Sequence, residues 1–227
     1  MPSARVDIIS IGTLSRNRIW GEQQAVRTAH ATTSLIRSAG RTILVDPGLP
    51  VAVQGPRLFE RTGLSPDKID TIFLTNFRPS HRAGLELFAR AKVLMGEVEQ
   101  QWARHQIESL VEQAPEDDLD RRALENDLRL LDRITVAPDK LAEEVDLFPL
   151  GGYTPGTCGL LVTAPITTLL VAGDAVPTLD HFLAGQALPD SVDIEAAQES
   201  MREAYEIADL IVPGHDNLFL NPRASGM

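Results

Sequence analysis

Residues 70–84 read DTIFLTNFRPSHRAG, and this stretch decides how the rest of the chain is interpreted. The apolar run from Ile72 to Leu74 predicts a short buried strand. The residues from Asn76 to His81 are mostly polar and are expected to form a loop, followed by a helix over 85–91. A strand that ends in a polar loop before a helix is where α/β proteins usually place their chemistry. We therefore look for the functional site here.

The composition limits the class of protein. Of the 227 residues, 43% are hydrophobic and 23% are charged, which is typical of a globular chain that buries a large core. No apolar run is long enough to span a bilayer. The single cysteine, Cys158, excludes an internal disulfide and favours the cytoplasm. A net charge of −11 disfavours nucleic acid as a partner. We expect a cytoplasmic protein that acts on or binds a small molecule, with no nucleic acid and no membrane as partner.

Four further segments place polar residues at the ends of predicted strands. Because strand ends on one side of a sheet share an edge, such residues can meet in space although they are distant in sequence. The segments are a predicted hairpin over 33–45 followed by Asp46, the turn GYTPG at 152–156, a second predicted hairpin over 160–172 followed by Asp174, and a predicted strand over 210–212 followed by PGHD with His215.

These segments, in this order, resemble the metallo-β-lactamase fold superfamily. In that family a strand and a Thr, here Thr75, lead into the pattern His-x-His-x-Asp-His, and the six positions here run from Asn76 to His81. Three of the four ligand positions in the pattern are changed. The resemblance covers about residues 6–220 and implies an α/β fold, an αββα sandwich of two mostly antiparallel sheets with outer helices. We therefore expect one domain over residues 1–227.

Residues 97–132 have the pattern of two amphipathic helices separated by Pro115. This segment is expected to be a helical insertion that lies over the loop at 76–81. A plain surface hairpin, a lid and the contact of a homodimer are the alternatives for its role.

The resemblance implies two metal sites, and the residues at the first are not metal ligands. Its three ligand positions are Asn76, Arg78 and Tyr153, with Tyr153 in place of the His in the family's Gly-His-Thr-Pro-Gly turn. None of these side chains is a usual ligand for a divalent metal, and Arg78 brings a permanent positive charge. The sequence therefore predicts that the first site is lost.

The second site keeps His81, Asp174 and His215 and has Ser80 in place of its Asp. Two imidazoles and one carboxylate are sufficient for zinc or iron(II) with positions left for water. One interpretation is therefore a single-metal hydrolase of a small ester, thioester, lactone or amide. In it, Arg78 and the Tyr153 hydroxyl stabilise the developing oxyanion. Ser80, next to His81, is a further candidate as a nucleophile beside a base.

The alternative interpretation is a metal-free pseudo-enzyme that binds a small acidic or polar ligand through Arg78 and Tyr153. Here Arg78 pairs with Asp174 and neutralises a carboxylate that would be costly to bury alone. His181, in the segment TLDHF, is expected to pack or to line the same pocket. The family's position for Asp46 implies that this carboxylate supports the loop from behind. The sequence leaves the choice between one metal and none open.

Overall fold

Two six-stranded sheets form the centre of the protein, as described for residues 3–116 and 118–225 of a computed structural model. The first sheet contains, in spatial order, β1 (Arg5–Ser10), β2 (Thr33–Ser38), β3 (Arg41–Val45), β4 (Thr71–Leu74), β5 (Lys92–Met95) and β6 (Thr135–Val136). The second contains β7 (Lys140–Ala142), β8 (Val145–Pro149), β9 (Cys158–Ala164), β10 (Thr167–Gly173), β11 (Leu210–Pro213) and β12 (Phe219–Leu220). The two predicted hairpins are β2–β3 and β9–β10.

The two sheets differ in how their strands pair. The second sheet is mostly antiparallel, as predicted, and only β10 and β11 run parallel. In the first sheet the prediction is wrong, because β3, β4, β5 and β6 pair in parallel. Helices connect these four strands and return the chain to the same end of the sheet each time, which makes the pairing parallel.

The described residues form six α-helices, and the longer ones lie on the outer faces of the sheets. The six are α1 (Val51–Thr62), α2 (Pro79–Arg82), α3 (Glu97–Gln113), α4 (Leu119–Leu131), α5 (Leu179–Ala184) and α6 (Ile194–Ile207). The predicted insertion corresponds to α3 and α4. The predicted loop at 76–81 is partly helical, because Pro79 occupies the first position of α2. The helix expected over 85–91 is only a 3-10 turn, Leu85–Phe88. No helix among the described residues has the length and apolar composition needed to cross a membrane.

The central strands bury side chains on both faces, which explains their continuous apolar sequences. In β4, Phe73 points to the cluster between the two sheets, while Ile72 and Leu74 belong to the cluster beneath α1, α3 and α4. In β10, Val171 lies between the sheets and Leu170 packs against α5 and α6. Helix, sheet, sheet and helix therefore form four layers, and the predicted αββα sandwich is confirmed.

The first turn of α3 comes very close to the turn at 152–156. A Cβ atom at Gly156, in the turn at 152–156, would lie 1.9 Å from the backbone nitrogen of Glu99 in α3. Only glycine allows the turn and the first turn of α3 to approach this closely. This approach places the first turn of α3 against the turn at 152–156, and a hydrogen bond from the backbone N–H of Phe77 to the Glu99 carboxylate places it beside the loop at 76–81.

Candidate metal centre

Three side chains from distant parts of the chain meet at one end of the sheets. His81 lies in α2 just after β4, Asp174 directly follows β10, and His215 lies two residues after β11. One potential ligand atom from each lies within 4.8 Å of the other two, and all three residues are buried. The structure therefore brings together the three residues that the sequence assigns to one metal.

Each imidazole presents Nε2 to Asp174 and is held at Nδ1 from the other side. Nε2 of His81 lies 2.8 Å from Asp174 Oδ2, and Nε2 of His215 lies 2.9 Å from Oδ1. Nδ1 of His215 lies 3.1 Å and 3.0 Å from the backbone carbonyl oxygens of Thr13 and His30. Because a carbonyl oxygen can only accept, this Nδ1 carries the hydrogen. A neutral His215 therefore turns its Nε2 lone pair towards the carboxylate.

Asp46 plays the corresponding part for His81. Its Oδ2 lies 3.0 Å from Nδ1 of His81 and accepts a hydrogen bond of 2.7 Å from the Thr75 hydroxyl. Its Oδ1 accepts from the backbone N–H of Thr75 at 2.9 Å. A carboxylate behind a histidine is the usual arrangement that orients a metal-binding imidazole. These contacts agree with the expectation that Asp46 supports the loop.

The donor set fits one divalent metal. Two neutral imidazoles with their lone pairs towards one carboxylate would place acceptor against acceptor, which is unfavourable in a buried site. Asp174 Oδ1 forms no hydrogen bond with any described residue, although Nε2 of His215 is 2.9 Å away. A cation shared by the two nitrogens and the carboxylate removes this conflict. Two imidazole nitrogens and a carboxylate oxygen are a ligand set that zinc and iron(II) accept.

Protonation is the other way to satisfy these contacts. Burial alone would lower the pKa of His81, but the negative charges of Asp174 and Asp46 outweigh it and raise the pKa to about 10. Burial likewise opposes ionisation of Asp174, yet the adjacent His81 and His215 hold the pKa of this carboxyl well below its usual range. Without a metal the cluster is therefore a buried ion pair. A metal would have to displace the proton on His81.

The positions that the resemblance assigns to the first metal are occupied differently. The Asn76 side-chain oxygen accepts a hydrogen bond of 3.0 Å from the backbone N–H of Arg78. This turns the amide nitrogen inward, where it donates to Asp174 Oδ2 at 3.0 Å. An NH₂ group has no lone pair for a metal. In this arrangement Asn76 donates a hydrogen bond to Asp174 and turns no lone pair towards the cluster.

The Arg78 guanidinium lies between two aromatic rings. Its Cζ atom is 5.8 Å from the ring centroid of Trp102 and 5.4 Å from that of Tyr153. No ion pair joins Arg78 to Asp174 among the described residues. The metal-free interpretation predicts this contact, and that prediction is wrong. Three other side chains already contact the oxygens of Asp174.

Burial and the charges of Asp174 and Asp190 raise the pKa of Tyr153, so its hydroxyl keeps its proton at neutral pH.

Glu99, in the first turn of α3, is a site residue that the sequence did not reveal. It is fully buried, and its carboxylate accepts hydrogen bonds from the backbone N–H of Phe77 at 2.9 Å and from the Thr154 hydroxyl at 2.5 Å. Burial raises the pKa of this carboxyl. Glu99 thereby ties the loop that carries Arg78 to the turn that carries Tyr153. Acidic residues are common in the first turn of exposed helices, so its sequence position gave no signal.

A cavity of about 360 Å³ opens beside His215, one of the three predicted ligands. Its wall includes His215, Tyr153, Ser80 and His181. His181 is thus in the pocket wall, which was one of its two expected places. The Ser80 side chain forms no hydrogen bond with an imidazole in the described part of the chain, so no nucleophile–base pair is formed. Cys158 is buried, and burial raises the pKa of its thiol to about 11.

Comparison with known proteins identifies relatives of this chain. A sequence model described as the Metallo-beta-lactamase superfamily matches residues 27–215. No curated protein sequence gives a significant match.

Several solved structures share the fold. A Thermotoga maritima protein assigned to the metallo-beta-lactamases is 18% identical with a TM-score of 0.69, and the match covers 96% of this chain and 100% of that chain. AidC, a dizinc quorum-quenching lactonase, is 17% identical with a TM-score of 0.68 and coverages of 84% and 74%. A B. thuringiensis AiiA variant with N-decanoyl-L-homoserine bound at the active site is 17% identical with a TM-score of 0.60 and coverages of 90% and 87%. Identities this low show a common fold and not a common activity.

Proposed function

The chain belongs to the metallo-beta-lactamase superfamily, and from that premise we propose that it is a hydrolase with one divalent metal, zinc or iron(II). The proposed ligands are His81, Asp174 and His215. The observation that carries the proposal is the orientation of His215, whose Nδ1 faces two backbone carbonyls and whose Nε2 faces Asp174. The proposed substrate is a small ester, thioester, lactone or amide.

The residues around the cluster support hydrolysis of a carbonyl compound. A divalent metal, when bound, lowers the pKa of water to about 7 and polarises a carbonyl group. Arg78 and Tyr153 stand beside each other and supply a fixed positive charge and a hydroxyl donor. We assign them to the oxygen that becomes negative in the transition state, a role that a second metal has in two-metal sites. Ser80 is assigned to the pocket wall, where it contacts substrate.

Hydrolysis assays test this function. Lactone is the first class to assay, because lactonases are among the proteins that share the fold. N-hexanoyl homoserine lactone and 4-nitrophenyl acetate are offered to zinc-loaded protein, to chelator-treated protein and to the His215→Ala variant. We expect turnover only with the loaded, unsubstituted protein. Equal turnover by the chelator-treated protein and by His215→Ala would show that the metal centre does not drive the reaction.

A metal-free binding protein is the second candidate, and two observations favour it. The raised pKa of His81 keeps this imidazole protonated, so it forms an ion pair with Asp174 when no metal is bound. Asn76 also donates a hydrogen bond to Asp174. This candidate predicts a melting temperature that does not respond to chelator or to added zinc. A rise in melting temperature with zinc favours the hydrolase, because a ligand that binds only the native state stabilises it.

Two further expectations accompany the proposal. A cytoplasmic location is inferred from the single, buried Cys158. A homodimer through the insertion is inferred from exposed apolar side chains on its helices, which include Leu110 at 51% and Leu119 at 77% exposure. Light scattering of the intact chain and of a Leu110→Glu variant tests the dimer, which should dissociate in the variant.

A further inference from the structure

The segment between β1 and β2 places two arginines in the wall of the cavity. Arg16 and Arg18 both line it, together with His215 and Tyr153 on the side of the metal centre. Leu14, Ala29, Leu188 and Pro189 give the same cavity an apolar part. The cavity thus combines positive charge, an apolar surface and the candidate hydrolytic centre. Its volume of about 360 Å³ is within the range of small-ligand pockets.

Hydrogen bonds hold this segment in one conformation. The Glu22 carboxylate accepts from the backbone N–H of Asn17, which lies between the two arginines, at 2.6 Å, and it also pairs with Arg27. The backbone N–H of Val26 donates to the carbonyl oxygen of Ser15 at 2.9 Å. Contacts on both sides of the arginines therefore fix their backbone before any ligand binds, and such preorganisation lowers the entropy cost of binding.

A second anchor joins the segment to the opposite wall. The indole nitrogen of Trp20 donates to Asp180 Oδ2 in α5 at 2.5 Å. One residue further along α5 is His181, which lines the cavity. The segment is therefore attached to the same helix that forms part of the pocket.

Neither arginine is neutralised by a carboxylate among the described residues. Arg16 donates to the backbone carbonyl oxygen of Gln23 at 3.1 Å, and Arg18 has no ion pair. The nearby Glu22 is engaged by Arg27, and Asp180 is engaged by Trp20, which leaves Asp190 as the acidic residue of the cavity wall. In a chain with a net charge of −11, two unpaired guanidinium groups in one cavity are a local reversal of sign.

We infer that the substrate of this cavity carries an anionic group, a carboxylate or a phosphate, which Arg16 and Arg18 bind. The planar guanidinium matches the geometry of both groups and binds them with two parallel hydrogen bonds. The apolar wall receives the body of the ligand, and the carbonyl to be cleaved faces His215. Only this last step rests on the proposed hydrolase function. The anion site needs no metal.

Calorimetric titration of chelator-treated protein tests the anion site without catalysis. Benzoate, phenyl phosphate and the neutral benzamide are the probes. We expect at least one of the anions to bind about tenfold or more tightly than benzamide. The double variant Arg16→Met/Arg18→Met should lose this preference, while Arg41→Met/Arg90→Met, which removes the same charge from exposed positions, should keep it.

A charge-gaining variant covers the case in which the double variant folds poorly. Asp190→Asn removes the acidic residue of the wall and should tighten the anion about two- to threefold, because the like charge no longer opposes it. The comparison of benzoate with phenyl phosphate tells which anion is preferred. The inference is overturned if benzamide binds as well as both anions, or if the anion preference survives in Arg16→Met/Arg18→Met.

An ester-hydrolysis assay tests the anion site and the proposed hydrolase activity separately. Zinc-loaded protein is given 4-acetoxybenzoate and its neutral methyl ester. We expect Arg16→Met/Arg18→Met to raise KM for the anionic ester about tenfold, with little change for the methyl ester. Anion binding without any ester cleavage would contradict the hydrolase and leave the anion site in place. Equal cleavage of the anionic ester and the methyl ester, together with no preference for anions in calorimetry, would contradict only the anion site.

Discussion

Replacing Glu99 by alanine should both lower the stability of the whole protein and disturb the candidate site. The carboxylate accepts from the Phe77 N–H and the Thr154 hydroxyl, and both donors are buried. Hydrogen bonds to a charged group contribute about 1.5–3 kcal/mol each, so the two lost bonds cost about 3–6 kcal/mol. Removing a buried carboxylate returns part of this, because its desolvation penalty is also removed. We expect a net loss of about 3 kcal/mol, or about 6–12 °C in Tm for a chain of this size.

Urea unfolding at pH 7 measures this loss, and Glu97→Ala is the matched control. Glu97 lies in the same helical turn but is exposed, so its replacement should change the free energy of unfolding by less than about 0.5 kcal/mol. The reasoning is refuted if Glu99→Ala and Glu97→Ala unfold at the same urea concentration.

The Glu99→Gln variant adds a pH dependence with a defined sign. Burial raises the pKa of Glu99 in the folded protein, so the native state holds this proton more tightly than the unfolded chain. Stability from this group therefore falls as the pH rises from the ordinary glutamate pKa, about 4.3, to the folded-state pKa. Glutamine has no such dependence. The free energy of unfolding of Glu99→Gln, relative to the unsubstituted protein, should increase as the pH is raised through this window.

Substitutions at three other positions test separate parts of the structure. Asp46→Asn replaces the carboxylate that faces His81 Nδ1 with a neutral amide, and it should lower metal affinity about 10- to 100-fold. Competition with a fluorescent chelator measures the affinity. An unchanged affinity would mean that Asp46 does not orient the His81 imidazole. Arg78→Met should lower kcat about 100-fold with metal content unchanged. Arg78→Lys should not restore kcat, because lysine lacks the planar guanidinium that lies near both aromatic rings. Full rescue by lysine would mean that only the positive charge matters. Gly156→Ala should destabilise the protein by more than about 2 kcal/mol, because the alanine Cβ would lie 1.9 Å from the backbone nitrogen of Glu99. An unchanged Tm would show that the turn and α3 can move apart to accept the methyl group.

The strands and the three converging residues could be predicted from sequence because each has a local signal. The run from Ile72 to Leu74 is apolar at every position, and this matches a strand buried on both faces. His81, Asp174 and His215 each follow such a strand, and the ends of neighbouring strands meet. Their roles as metal ligands stay a prediction.

The features that the sequence did not predict depend on contacts between distant segments. Nothing local shows that His81, His215 and Asn76 already contact the Asp174 carboxylate. The sequence therefore pairs Arg78 with Asp174, whereas in the structure its guanidinium lies near the rings of Trp102 and Tyr153. The burial of Glu99 depends on the approach of Gly156, 57 residues away in the chain. The parallel pairing in the first sheet follows from the direction of the connecting helices, which hydrophobic periodicity does not report.

The bound metal per chain is the most direct measurement of the central claim. Protein purified without chelator and then dialysed with zinc or with iron(II) is analysed for metal content, alongside His215→Ala and Asp174→Ala. One equivalent should remain with the unsubstituted chain and should be lost in both variants, since each removes one of the three proposed donors. No retained metal, two equivalents, or one equivalent that persists in His215→Ala would contradict a single-metal centre at these residues.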